Sequence, residues 1–409
     1  MPNLTLKNVG AVFGKKDKAE PKEEEDEIDA SEFEDDDEAP KPPRSRRPKD
    51  TPFTQQRIAA VNPVVTPRRI IPLYLFLAAI FVIFGAVMVS ISARVDHMLI
   101  YYERCAEAAP TNGFHPMSPG DFEWNFHKSP GYSAYPQWKY IPGDGTDATA
   151  SNGTCQIRFV TPDTLPKSVY LSYWIENFYG NHRRYVLSFS EDQIHGQNTS
   201  ITDIRDNVGI NCKPLVTNSE GKQYYPCGLI ANAMFNDTFP FELIGVDNTA
   251  SYPLTNEGIT WTTDKDRFRK TPLNYDEIVP PPNWVKQYPD GYNSTNVPNI
   301  HEWEEFMNWM RTPAFPTFQR LIRRNDNDSL PAGAYEIDIG LNWPVTEFNG
   351  RKAVFMTHGS SIGGKNNFLG TIYLIGGCIC AAMALILFCS TILTRRSLGD
   401  LNYLSWNRE

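Results

Sequence analysis

Charge is missing from two long stretches of this 409-residue chain: Ile70 to Ala93 and Phe368 to Leu393 contain no Asp, Glu, Lys or Arg. Histidine is scarce, seven in all, and no two stand in an H-E-x-x-H pair; His301-Glu302 is followed by Trp303, Glu304 and Glu305. The four cysteines between the two runs, Cys105, Cys155, Cys212 and Cys227, lack the close spacing of a zinc site. Apolar runs without an ionisable group exclude a self-contained transport pathway, because such pathways carry polar or charged groups inside the membrane. The basic residues are scattered, which argues against nucleic acid binding. No cofactor site is expected.

What is present is unevenly placed. Residues 20–38 hold thirteen Asp or Glu and one Lys, more negative charge than the net −9 of the whole chain. Blocks of like charge repel themselves and stay solvated. Residues 1–69 therefore read as an acidic, mostly disordered tail. The two apolar runs are each on the order of 36 Å long as helices, against a hydrocarbon core of about 30 Å. They read as transmembrane helices over 70–93 and 368–393. The first starts too far into the chain, and is too long, for a cleaved signal peptide. Arg57, Arg68, Arg69, Arg395 and Arg396 place both ends in the cytosol by the positive-inside rule. Residues 94–367 then form a luminal or extracellular domain, and 394–409 a short cytosolic tail.

The remaining signals agree with that topology. Four cysteines in the domain suit an oxidising compartment. They allow three pairings; chain order favours Cys105 with Cys155 and Cys212 with Cys227, and spacing alone proves neither. Two such bridges would contribute about 4 and about 3 kcal/mol on the chain-entropy model. Five N-x-[ST] sequons, at Asn152, Asn198, Asn236, Asn293 and Asn327, mark candidate glycosylation sites in the same domain.

Alternation of apolar and polar residues predicts strands at Tyr335–Trp343, Val169–Ile175 and Cys155–Phe159, a fourth at Tyr185–Phe189, and a last one at 353–357. Asn299, with Glu302 three residues on, predicts the cap of a helix carrying Trp303, Phe306, Met307 and Met310 on one face and ending at Pro313. The expected fold is thus a membrane protein: two transmembrane α-helices plus a large, mainly antiparallel-β ectodomain with short helices and long loops. Gly359, Ser361 and Gly363 match a nucleophile-elbow pattern, but the helix that follows is a membrane span. Gly359, Gly364 and Lys365 approach a phosphate-binding loop, but Asn366 stands where Ser or Thr should hold magnesium. Both matches read as decoys. His182, Arg183 and Arg184 are either an exposed strand end or a contact for an acidic loop of a partner. Gly377 and Ala381, at small-xxx-small spacing, allow close packing with another protein's helix, against the alternative of a neutral lipid-facing surface.

Specific segments carry a resemblance. They include Arg47-Pro48-Lys49, Phe53-Thr54-Gln55-Gln56-Arg57, Asn181-His182-Arg183-Arg184-Tyr185 and Tyr225-Pro226-Cys227-Gly228-Leu229-Ile230-Ala231-Asn232. Further on come Met234-Phe235-Asn236-Asp237-Thr238, Pro280-Pro281-Pro282-Asn283-Trp284, Tyr288-Pro289-Asp290-Gly291-Tyr292, Trp303-Glu304-Glu305-Phe306 and Gly363-Gly364-Lys365-Asn366. Through these the chain resembles the β-subunit family of type IV P-type ATPases, the lipid flippases, also called the cell-division-cycle-fifty family. Asp29-Ala30-Ser31-Glu32-Phe33-Glu34 and Leu404-Ser405-Trp406-Asn407 resemble its fungal ligand-effect-modulator branch.

The resemblance implies a non-catalytic subunit that forms a heterodimer with a type IV P-type ATPase, supports its exit from the endoplasmic reticulum and its transport cycle, and works at the plasma membrane, endosome or Golgi. It implies an antiparallel β core and the bridges Cys105–Cys155 and Cys212–Cys227. Membrane lipids enter as environment and as substrate of the complex, while catalysis belongs to the larger subunit. Four rather than six luminal cysteines imply that a third bridge found in some animal members is absent. Ala60-Val61-Asn62 departs from a commoner pattern containing Trp. The rival reading is a stand-alone glycosylated receptor or adhesion protein.

Overall fold

The computed structural model describes residues 51–53, 56, 66–127, 135–145, 149–360 and 363–394. The acidic run, Arg57, Ser361, Arg395, Arg396 and the C-terminal motif lie outside them. The chain divides into Met1–Val64 and Val65–Glu409; the second unit holds both long helices and the domain between them.

Helix α1 spans Pro67–Ala93 and begins with proline in its first turn, where the missing N–H costs nothing. A short helix, α2, spans Glu304–Met310, and α3 spans Asn367–Thr394. Both α1 and α3 are long and apolar enough to cross a membrane. They pack antiparallel, and glycine sets their separation. A Cβ on Gly85 would lie 2.9 Å from the backbone nitrogen of Leu374; one on Gly370 would lie 3.0 Å from that of Val89. One on Gly377 would meet Val82 Cγ2 at 2.8 Å. Phe81 and Tyr373 meet edge-to-face at 5.7 Å between ring centroids. Close backbone approach through small residues is how helices associate where water gives no hydrophobic drive.

The strands are β1 His97–Tyr101, β2 His115–Pro116, β3 Phe122–Asn125, β4 Gln137–Ile141, β5 Thr154–Thr161, β6 Val169–Glu176 and β7 Gln223–Tyr224. They continue with β8 Glu242–Val246, β9 Tyr252–Pro253, β10 Ile278–Val279, β11 Phe318–Asn325, β12 Gly333–Gly340 and β13 Arg351–His358. One antiparallel sheet runs β11-β6-β13-β1-β3, a second β2-β4-β5-β12-β8-β9, and β7 with β10 forms a small parallel pair. On β12, Tyr335, Ile337 and Ile339 are buried, whereas Glu336 faces out to bond Arg158 Nε of β5 at 2.8 Å. This alternation is the two-residue side-chain period of a strand with one face in the core. Leu171, Tyr173 and Ile175 of β6 join Ile157, Phe159 and Ile337 of the other sheet in one buried cluster.

Two expectations need correction. Tyr185–Phe189 is not a strand: Arg183–Val186 is a single helical turn. Ser188 Oγ bonds the carbonyl of Lys213, and Ser190 Oγ accepts the N–H of Gln193, so side-chain hydrogen bonds to the backbone replace a ladder there. The second concerns α2, which starts at Glu304 rather than after Asn299. Asn299 Oδ1 instead closes a local turn onto the N–H of His301 at 3.3 Å. The Glu304 carboxylate accepts the N–H groups of Gly258 and Thr260 at 3.1 Å each, and pairs with Lys265. Those contacts fix where the first turn can begin.

The sheets are tied together by one buried carboxylate. Asp237 Oδ1 accepts the N–H groups of Asn342 and Trp343, each at 2.7 Å. Its Oδ2 accepts the Tyr102 hydroxyl at 3.0 Å and Lys352 Nζ at 2.6 Å. Lys352 Nζ also donates to the carbonyl of Trp343 at 2.7 Å. Cys105 is bridged to Cys155 across a Cα separation of 6.0 Å, and Cys212 to Cys227 across 5.5 Å.

Removing one member of a buried ion pair costs about 3–5 kcal/mol, because the other charge stays buried and unpaired. Lys352→Met is expected to lose stability on that scale, and Asp237→Leu to lose more, because Tyr102, Asn342 and Trp343 lose their acceptor as well. Chemical denaturation of the detergent-solubilised chain checks this; a Lys352→Met variant as stable as the unmodified chain contradicts it. Gly370→Leu is expected to part α1 from α3 and to lower the melting temperature of the solubilised chain, whereas Ala381→Leu, at an exposed position on α3, leaves it unchanged.

Candidate partner-binding site

β1 follows α1 directly and β13 leads back to α3, so the Val169 and His358 end of the first sheet lies near the helices. β6 pairs with β13 from Val169↔His358 to Glu176↔Arg351. Eight residues at about 3.3 Å each carry its other end roughly 25 Å away. The residues that follow β6 and precede β13 lie at that far end, and with 232–238 and 282–287 they wall a cavity of about 950 Å³.

Its walls are fixed from below. Trp309 Nε1 donates to the carbonyl of Ile230 at 2.7 Å, and Trp284 Nε1 to that of Ala231 at 3.0 Å. Both carbonyls belong to the helical turn Leu229–Asn232, whose end groups need partners. Asn232 Oδ1 accepts the N–H of Asn283 at 2.9 Å. Asn177, at φ 64°, donates through Nδ2 to the carbonyls of Phe348 at 3.0 Å and Asn349 at 3.3 Å. Asparagine tolerates that left-handed conformation better than most residues. Four segments that carried the family resemblance thus meet around one space: Leu229–Asn232, Met234–Thr238, Pro282–Trp284 and Trp303–Glu305.

Beside the cavity lies a patch of cations and aromatics. His182, Arg183 and Arg184 are all exposed on the Arg183–Val186 turn, and none pairs with an acid among the described residues. The approach to them is rigid: Asn181 Nδ2 donates to the carbonyl of Ala314 at 2.9 Å, and a Cβ on Gly180 would lie 2.6 Å from Pro313. Tyr179 and Phe315, from the same two segments, are 63% and 75% exposed. This patch is at the end of the domain away from α1 and α3, so it cannot contact the bilayer those helices would cross.

The other predicted residues are dispersed. Asn152, Asn198, Asn236, Asn293 and Asn327 are all exposed, and Asn152 and Asn236 line the cavity. Gly377 is buried against α1, whereas Ala381 is exposed on α3. The two do not form one outward face, because Gly377 is taken up by the chain's own helix pair while Ala381 points away from it. Sequence reasoning missed the Asp237–Lys352 pair. Asp237 is the middle residue of a sequon, where an acid reads as solvated, and Lys352 sits at the edge of the apolar run 353–357.

Electrostatics at the site follow burial. Desolvation, and then the Asp237 charge, hold the Tyr102 hydroxyl far above its usual range, so it remains a proton donor to that carboxylate. At the base of the domain, Asp96 Oδ1 accepts the backbone N–H of His127 at 3.0 Å, and the Asp96 N–H bonds His358 Nε2 at 3.0 Å. His97 beside it is held below the usual imidazole range by burial and by Lys365.

Comparison with known proteins matches residues 76–397 to the LEM3 (ligand-effect modulator 3) family / CDC50 family. The chain is 53% identical to the phospholipid-transporting ATPase accessory subunit LEM3 of Saccharomyces cerevisiae (strain ATCC 204508 / S288c), over the whole of both chains. It is 38% identical to the phospholipid-transporting ATPase accessory subunit CDC50 of Chaetomium thermophilum, over 91% of this chain and 93% of that one. Cell cycle control protein 50A of Bos taurus is 33% identical over 84% of this chain and 89% of its own. With four of the segments that carried the resemblance reaching one cavity, a family match over most of the chain and one relative matched over its full length, the chain belongs to the LEM3/CDC50 family, within its LEM3 branch.

Proposed function

We propose that this protein is a non-catalytic accessory subunit of a phospholipid-transporting P-type ATPase, and that it binds the catalytic subunit through the end of its domain farthest from α1 and α3. The observation that carries the proposal is the exposed patch of His182, Arg183 and Arg184 between Tyr179 and Phe315, next to the cavity lined by the family-bearing segments. Cations without acidic partners among the described residues, beside solvent-facing aromatic rings, have the composition of an interface rather than of an ordinary surface. An acidic loop on the partner is the matching chemistry.

The same reading places residues 94–367 on the luminal or extracellular side and both termini in the cytosol. Exposure of all five sequon asparagines supports it, as do two disulfides in the domain. Assembly in the endoplasmic reticulum, followed by residence at the plasma membrane, endosome or Golgi, fits a subunit that must meet its partner early. α1 and α3 add an apolar surface beside the ATPase's own helices, with lipid as the medium and as the substrate of the complex.

Purification of the tagged chain in mild detergent is expected to bring down a P-type ATPase in near-stoichiometric amount, identified by mass spectrometry. His182→Glu, Arg183→Glu and Arg184→Glu together are expected to lower the recovered ATPase about tenfold, on the scale of charge reversal at an interface, with the amount of folded chain unchanged. A chain that leaves the endoplasmic reticulum and reaches the cell surface alone, with no ATPase recovered, overturns the proposal in favour of a receptor or adhesion protein.

A further inference from the structure

We propose that the cavity at the far end of the domain seats the chain's own N-linked glycan, carried on Asn236. This rests on the luminal placement of residues 94–367. Asn236 is exposed on the cavity wall, and its neighbours Met234, Phe235 and Thr238 line the same space. Its main chain cannot swing away. Asp237, the next residue, is locked by four hydrogen bonds, and the Asn236 carbonyl accepts Asn342 Nδ2 at 3.1 Å. The Asn236 side-chain amide, by contrast, makes no hydrogen bond with a described residue, which leaves its nitrogen for a sugar.

The lining has the chemistry of a sugar site. A hexose offers an apolar C–H face and a rim of hydroxyls, so it needs flat aromatic surface together with neutral donors and acceptors. Trp303, Trp343 and Phe348 supply the first, Asn283 and Gln287 the second. Two of the three acids on the wall are spoken for; the third, Glu347, is exposed, as is Lys286 of opposite charge. Glu305 pairs with Arg323 at 2.9 Å, and Glu176 accepts the Tyr101 hydroxyl at 2.7 Å and Trp174 Nε1 at 2.9 Å. A neutral oligosaccharide matches such a wall better than a charged peptide does. The volume of about 950 Å³ lies at the top of the range of about 300–1,000 Å³ for small-ligand sites, room for more than one sugar ring. Asn152 also reaches the cavity, but only the turn around it contributes to the wall, so Asn236 is the better root.

The test digests the purified ATPase complex with a peptide-N-glycosidase under native conditions and follows each sequon by mass spectrometry. Release at Asn236 is expected to be at least about tenfold slower than at exposed Asn327, since the enzyme acts on the unseated fraction. Phe348→Ser with Val285→Ser, at positions 67% and 52% exposed, should bring the two rates within about twofold in the chain freed of the ATPase, where the unmodified chain keeps the difference. Equal rates in the unmodified complex overturn the proposal. So does an Asn236 that carries no glycan while Asn293 and Asn327 do, which leaves the luminal placement standing. Protection that disappears only when the ATPase is stripped off, and that the double variant does not touch, assigns the cover to the partner and overturns it as well. A chain with no glycan at any of the five sequons overturns the luminal placement together with the seat.

Discussion

A single carboxylate, buried where two sheets meet, holds this domain in shape. Asp237 draws together the hydroxyl of Tyr102 just after β1, the ammonium of Lys352 on β13, and two backbone N–H groups just after β12. The four donors come from three parts of the chain, and each is taken out of water to reach it. A buried charge is tolerable only when its lone pairs are filled, so these segments must converge or the structure loses more than any one contact contributes. The cavity wall follows from this convergence. Residues 232–238 lead to the carboxylate from one side, and Asn342 and Trp343 complete it from the other, so the far-end walls have no independent freedom.

The helix pair obeys a different physics. Between α1 and α3 there is no buried charge; the close fit allowed by Gly85, Gly370 and Gly377 and the Phe81–Tyr373 ring contact join them. Where that seam ends, polar contacts begin: Ser92 Oγ donates to Asn367 Oδ1 at 2.7 Å and accepts the N–H of Asn366 at 3.0 Å. Thr357 Oγ1 then bonds the carbonyl of Asp96 at 3.0 Å. The change from apolar seam to hydrogen-bonded collar falls where the residues stop being uniformly apolar.

The two spans and most long strands were legible in the sequence because each rests on a periodic or continuous pattern. β12 shows it best, since burial of Tyr335, Ile337 and Ile339 leaves a two-residue signature that nothing else produces. The misread segment, Tyr185–Phe189, had the same spacing over three positions only, and the serines there bond backbone instead, Ser188 the carbonyl of Lys213 and Ser190 the N–H of Gln193. The His182–Arg184 patch was visible as residues but not as a surface, because Phe315 is brought beside Tyr179 by pairing of segments far apart in the chain. The cavity was invisible for the same reason. Gly377 was noticed for the right property, small size, but its neighbour is the chain's own α1, and only the three-dimensional pairing could say so.

β1 and β13 lie side by side at the middle of their sheet, five residues in register from His97↔Thr357 to Tyr101↔Ala353. Each continues, through a short collar, into one of two helices that are themselves packed together. Helix pair and strand pair therefore make one double-stranded stem, stiff along its length because neither half can slide on the other without breaking ladder bonds or forcing glycine against backbone. Any change in the angle between α1 and α3 therefore bears on the same ladder that ends at Glu176 and Arg351, where the cavity begins.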